Sequence, residues 1–338
     1  MASFATPLGR AAMVALARRW AMRLLGAALV LWAVVVLWRE LHSLAPAEVV
    51  ANVRAWGVWR IALVICLAAA SFTLTAIVEW MGLRWSGTPL PFPTAALRSF
   101  MVNGLIHSVG ANVVTATIVR SWVYRRTDLR LLGSAATTAF AAMSLVLGLA
   151  VLVGAGLLTA TPGQLHAVRL SIAPARAGAA ITLGGVVAYV AACAAWPGAL
   201  LFRKLRMPNA RVAIGQAALG AVDNAISATM LWLLIGRGAA PYPAFIVAYP
   251  LAYLAGLLST VPGGAGVFEA ALVLLLPGVS RPALAAGFLG YRLIFYLAPL
   301  ALALLLIAVE MARPFRPIDL GQGGQGPGAH PGSKGYPP

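Results

Sequence analysis

The chain has 338 residues, 61% of them hydrophobic and 10% charged, and its mean hydropathy is +0.89. Such a composition excludes an ordinary soluble domain and describes an all-α polytopic membrane protein. The net charge of +17 does not point to nucleic acid, because the basic residues form short clusters between apolar runs, with no soluble domain to gather them into a groove.

The chain opens with Arg10, Arg18, Arg19 and Arg23 and continues into "LLGAALVLWAVVVLW". That run is too long for a signal-peptide core, has no convincing small-x-small cleavage site after it, and carries Trp32 and Trp38 where a helix would meet an interface. Residues 1–20 are expected to be a basic cytoplasmic N-terminus, followed by a retained first span within a membrane domain over residues 21–312. Further apolar runs, of about the 20 residues that cross a bilayer as helix, lie near 58–81, 132–158, 178–201, 212–235 and 283–308. They bring the expected number of full crossings to about six. Residues 313–338, rich in Gly and Pro, are expected to be a disordered tail.

Two apolar segments do not read as plain spans: residues 94–119 and residues 243–278, both interrupted by Gly, Pro or polar side chains. Charge counting suggests how they run. Arg84 and Arg98 precede the first, and Arg120, Arg125, Arg126 and Arg130 follow it, so the positive-inside rule places both of its ends on the cytoplasmic side. The next basic clusters are Arg203, Lys204, Arg206 and Arg211, then Arg313 and Arg316, which leaves the second segment starting and ending outside. The expectation is two re-entrant helical hairpins entering from opposite faces, the order of an inverted repeat. A kinked ordinary helix is the other reading of each segment.

The second segment contains "STVPGGAGVFEAALVLLLPG". Pro262 removes a backbone donor, and Gly263, Gly264 and Gly266 permit positive φ, so the chain can turn at depth and restart a half-helix near Val267. Glu269 then falls in the first turn of that half-helix, where the helix dipole favours a carboxylate.

Enzyme chemistry is hard to assemble from this chain. It has no HExxH helix, Gly-x-Ser-x-Gly turn or P-loop, so no catalytic residue is assigned and no cofactor is implied. Its four His are scattered at positions 42, 107, 166 and 330, so no metal site is expected. Cys66 and Cys193 lie in apolar runs and offer no disulfide framework.

The string "TVPGGAGVFEAALVLLLPG", with "YRLIFYLAPL" at 291–300, closely resembles the end of the membrane half of the lysylphosphatidylglycerol synthase/flippase family, of the multiple peptide resistance factor type. The resemblance extends through "AVDNAISATMLWLL", "YPAFIVAYPLAYLAGLLS" and "VVTATIVRSWVYRR" and covers most of residues 20–312. Two features depart from the family pattern. The soluble synthase half is not in this chain, so synthase activity is not expected, and Ala116 and Thr117 stand where a glycine or acidic step precedes Arg120.

The resemblance implies a multi-pass inner-membrane protein with both termini cytoplasmic. It would bind and translocate a phospholipid, lysylphosphatidylglycerol or a related modified anionic lipid, without a nucleotide and therefore downhill or coupled to an ion. Within it Arg120 and Arg292 would hold the phosphate, and Glu269 and Asp223 would attract a cationic headgroup or carry a proton. Glu79 would complete the polar interior.

Each residue keeps a plainer alternative. Glu79 and Arg84 fit a marker of the end of a span, Asp223 and Asn224 a hydrogen-bonding pair between helices, and Glu269 and Arg292 a fixed salt bridge. His107, Asn103 and Asn112 fit structural polar contacts. Two other functions stay open as well: a non-transporting protein that presents lipid to a separate aminoacyl- or glycosyltransferase, and a secondary transporter of a small polar solute. A lateral apolar opening favours lipid over solute, and a locked Glu269–Arg292 pair favours the presenting role. Leu- and Ala-rich faces allow a homodimer without requiring one.

Overall fold

The computed structural model describes residues 46–109, 113–127, 129–168, 170–202, 205–236, 238–258 and 266–312. The expected first span, Asn112, the Pro262-Gly263-Gly264 step and the Gly/Pro-rich tail lie outside the described residues. Among the described residues the protein is helical apart from one small ribbon, and five helices are long and apolar enough to cross a membrane: Trp56–Trp85, Leu131–Thr159, Ile172–Ala195, Ala210–Ile235 and Ala283–Ala312. It is an all-α polytopic membrane protein.

Helix α1 (Pro46–Trp85) breaks at Gly57, where φ is 66° and ψ 152°, and becomes a span beyond that point. Helices α2 (Phe92–Val109) and α3 (Val113–Val123) follow, then the long span α4 (Leu131–Thr159), the short α5 (Pro162–Ala167) and the span α6 (Ile172–Ala195). The sequence places this last span at 178–201; it starts and ends six residues earlier. Pro197 excludes the residue before it from helical geometry, and Trp196 accordingly leaves the helix at φ −127° and ψ 54°. The chain then forms a ribbon of β1 (Leu200–Phe202) and β2 (Leu205–Arg206) before α7 (Ala210–Ile235).

Side chains satisfy backbone groups at several helix ends. Asn209 Oδ1 accepts from Val212 N at 3.0 Å and caps α7. Thr161 and Gln164 form a reciprocal capping box on α5. At the other end of α4, the Arg176 guanidinium donates to the carbonyls of Leu157, Leu158 and Ala160, placing a cation against orphan carbonyls and the negative end of the helix dipole.

The first interrupted segment is a hairpin. Arg98 Nη1 in α2 donates to the carbonyl of Val123, the last residue of α3, at 2.9 Å. A continuous helix would separate residues 25 apart by roughly 37 Å at 1.5 Å per residue, so the chain has turned back on itself.

The second segment, α8 (Tyr242–Leu258) and α9 (Val267–Leu275), also folds back, with Phe268 against both Tyr249 and Tyr253 at ring-centroid distances of 5.6 and 6.4 Å. After it the chain runs through α10 (Arg281–Tyr291), a wide π-helical turn (Arg292–Leu297) and α11 (Ala298–Ala312), which together make the last span.

The hairpins open from opposite ends of the bundle. Trp85 at the end of α1 donates to the Arg206 carbonyl at 2.8 Å, and Arg98 and Arg126 both pair with Glu310, so the first hairpin's base lies with the end of α1, the start of α7 and the end of α11. The second hairpin's base is fixed to the last turns of α7: Tyr242 and Thr229 share a hydroxyl contact of 2.9 Å, and Trp232 Nε1 donates to the Ala240 carbonyl at 2.9 Å. Span, hairpin, span thus occurs twice, as α1–α2/α3–α4 and as α7–α8/α9–α10/α11, with α1 and α7 running in opposite directions. Among the described residues, the arginines on either side of the first hairpin gather at one end with Arg206 and Arg211 before α7, as charge counting required.

The tightest helix crossing joins α4 and α7. A Cβ on Gly220 would lie 2.0 Å from the Ser144 carbonyl oxygen, and one on Gly148 would lie 2.1 Å from the Gly220 carbonyl carbon, so only glycine fits either position. Polar groups hold the same crossing: Ser144 Oγ donates to the Gln216 carbonyl, Gln216 Nε2 to the Phe140 carbonyl, and Tyr189 OH from α6 to Gln216 Oε1. Helix α6 is otherwise peripheral and turns Ile181 and Val187 outward, as a lipid-facing helix must.

Candidate functional site

Among the described residues, three charged constellations lie within this apolar bundle. The most enclosed joins α1 to the returning arm of the first hairpin. Arg120 Nε and Nη2 donate to the two oxygens of Glu79 at 2.8 and 2.7 Å, and its Nη1 donates to Thr138 on α4. Residues 79 and 120 lie near the basic end, well apart in the chain, and both side chains are buried. Read from sequence as a phosphate holder, Arg120 faces Glu79 and Thr138 in this conformation, with no opening onto lipid. Charge compensation explains the arrangement, since a lone guanidinium in an apolar interior is far costlier than a paired one.

A second constellation, which sequence reading missed, lies nearby. Glu310 in α11 accepts from Arg98 Nη1 at 2.5 Å and pairs with Arg126 Nε at 3.5 Å. It straps the base of the first hairpin to the last span. Its signal was its rarity: the chain has eight acidic residues, and one at the end of an apolar span should have been matched with the arginines expected at that face.

The third constellation sits on the second hairpin. Glu269 Oε2 accepts from the Gly266 backbone N–H at 2.7 Å, while its Oε1 accepts from Arg292 Nη2 at 2.5 Å and Nε at 3.2 Å. Gly266, at φ 83°, supplies the left-handed residue that lets α9 restart there, as the sequence predicted for this position. Arg292 opens the π-helical turn, a geometry that occurs mostly as short interruptions and frequently at functional sites. The pair is a quarter exposed on the arginine and a fifth on the glutamate, in contrast to the sealed pair at Glu79 and Arg120.

The π-turn is also where the two hairpins meet. His107, near the tip of the first hairpin, has its ring 5.3 Å from Phe295 and 5.8 Å from Tyr296. From the other side Tyr249 of the second hairpin places its hydroxyl 3.1 Å from that of Tyr291. Phe72 of α1 packs on His107 and Phe295 in the same layer, and its neighbour Ser71 donates to Asp223 of α7.

Glu269, Arg292 and Asp223 therefore belong to one polar and aromatic layer, whereas Glu79 and Arg120 form a separate clamp. Asn224 bonds within its own helix, to the Gly220 carbonyl, and does not share Asp223's partner. Asn103 likewise bonds to Ser99, one turn back.

No family model matches the chain. It is 26% identical over 290 residues to slr0712, an uncharacterized protein of Synechocystis, covering 82% of this chain and 88% of that protein. It is 32% identical over 106 residues to the inner membrane protein YbhN of Escherichia coli, covering 30% of this chain and 33% of that protein. The chain is thus similar to an uncharacterized protein over most of its length and to an inner membrane protein over about a third.

Proposed function

We propose that the protein binds and translocates a phospholipid, lysylphosphatidylglycerol or a related modified anionic lipid, in the bacterial inner membrane. The headgroup would enter the layer where the two hairpins meet while its tails remain in lipid. One observation carries this reading: the Glu269–Arg292 pair, on a hairpin arm and a π-turn, is the most exposed of the carboxylate–arginine pairs among the described residues and lies in the aromatic layer at the hairpin tips. Arg292 would exchange its carboxylate for the lipid phosphate through the same Nε and Nη2 donors, and the freed Glu269, with Asp223, would take a cationic headgroup or a proton. The similarity to an inner membrane protein supports the location, and the basic end of the bundle would face the cytoplasm.

A second reading draws on a specific observation. Glu269 and Arg292 are joined at 2.5 Å, and a pair that stays joined would suit a protein that presents lipid to a separate transferase without moving it.

Reconstituted proteoliposomes separate the two. Fluorescent phosphatidylglycerol and its lysylated form are placed in both leaflets and quenched from outside, for wild type, Glu269→Gln and Arg292→Ala. Scrambling by wild type that is lost in both folded variants supports translocation through this site. No scrambling by wild type with either lipid, under any ion gradient, would sink the translocation reading in favour of presentation.

A further inference from the structure

A cleft unrelated to the hairpin layer opens at the basic end, between the last turn of α1 and the segment that leads from the ribbon into α7. It encloses about 530 Å³, within the size range of small-ligand sites, and its floor includes Trp80, Met81, Trp85, Met207 and Val212. Arg84 lines it with its guanidinium 4.9 Å from the centre of the Trp80 ring. Among the described residues Arg84 has no carboxylate partner, and no carboxylate lines the cleft. Arg206 and Arg211, both exposed, each immediately precede a lining residue, Met207 and Val212 respectively. The Trp85 indole bonds to the Arg206 carbonyl at 2.8 Å and fixes the two walls together.

Depth decides what kind of anion this suits. Trp80 and Trp85 end a membrane span, and tryptophan at a span end marks the level of the lipid headgroups. Arginines at that level attract anionic headgroups. A soluble anion would have no use for the apolar floor of Trp, Met and Val, whereas a lipid brings a glycerol backbone and acyl ends to lay against it. We propose that this cleft binds the phosphate headgroup of an anionic phospholipid of the adjoining leaflet, held by Arg84, Arg206 and Arg211 over the Trp80–Trp85 floor. This lipid is a fixed occupant at the rim of the bundle, separate from the one assigned to the hairpin layer.

The test uses the full chain in phosphatidylcholine vesicles that contain either brominated phosphatidylglycerol or brominated phosphatidylcholine at the same mole fraction. The quenched component is the tryptophan emission that differs between wild type and W80F/W85F. Brominated phosphatidylglycerol should quench it several-fold more effectively than the zwitterionic lipid. Each arginine removed should weaken the preference about fivefold, and R84Q/R206Q/R211Q should abolish it.

The preference should survive in R84K/R206K/R211K, which keeps the charge, in E269Q, which lies in the other site, and in R130Q, which removes an exposed charge elsewhere at the same end. Equal quenching by both lipids in wild type overturns the proposal. So does a preference that survives the triple glutamine variant, falls equally in R130Q, or disappears in millimolar inorganic phosphate, which would make the ligand a soluble anion. A loss in E269Q would assign the quenching to the hairpin layer and overturn it too.

Discussion

Arg120 and Glu79, 41 residues apart in the chain, meet fork to fork, with Nε to Oε1 at 2.8 Å and Nη2 to Oε2 at 2.7 Å, at side-chain exposures of 3% and 1%. Removing one partner strands the other charge in an apolar interior. Glu79→Leu or Arg120→Met alone should therefore cost about 3–5 kcal/mol, while the double variant should be less destabilised than either single. Thermal unfolding of the detergent-purified proteins checks this, and additive losses would show that the pair does not act as a unit.

The Glu269–Arg292 pair should respond in the opposite way. Its partial exposure limits the stability that Glu269→Gln can remove to about 1 kcal/mol, and the amide oxygen still offers the Gly266 N–H an acceptor. Melting temperature and lipid scrambling, measured on the same preparation, should separate: scrambling lost, melting nearly unchanged. A large fall in melting temperature would assign this pair to the scaffold instead.

The α4–α7 crossing makes a sharp contrast between glycines. At Gly220→Ala the new Cβ would lie 2.0 Å from a backbone oxygen, whereas nothing lies within 4 Å of a Cβ at Gly184. Gly220→Ala should lower the yield of folded protein severely, and Gly184→Ala should leave it unchanged or slightly raise stability, because alanine is the better helix former. Size-exclusion profiles of the two variants decide the matter.

Topology can be read with a membrane-impermeant maleimide on single cysteines, in a background where Cys66 and Cys193 have been replaced. Pro89→Cys, Arg130→Cys and Arg206→Cys should label from one side, the cytoplasmic one, and Gly163→Cys and Gly278→Cys from the other. Labelling of Pro89→Cys and Gly163→Cys from the same side would contradict the hairpin arrangement.

Much of the architecture was legible in the residues. Apolar runs located the five described spans, and Arg clusters gave the sense of the two hairpins, because both signals depend on transfer into lipid, which is local in sequence. Partnerships were less legible. Arg120 read as a phosphate ligand because its counter-charge, Glu79, lies on another helix and looked like the end of a span. Arg98 read as one more cytoplasmic arginine, although it binds both the end of its own hairpin and Glu310 at the far end of the chain. The end of α6 was misplaced because the apolar run "AWPGALLF" has the hydropathy of a span, while Pro197 prevents it from being helix. The π-turn left no mark in composition: "RLIFYL" would serve equally as plain α-helix.

That wide turn has a consequence for angular phase along the last span. Arg292 and Glu310 are 310 − 292 = 18 residues apart, which in an uninterrupted α-helix is about five whole turns, so the two side chains would leave the helix in nearly the same direction. One residue absorbed by the wider turn rotates the second by roughly a quarter of a turn relative to the first. A single rod can thereby hold the second hairpin through Arg292 on one of its sides and the first through Glu310 on another.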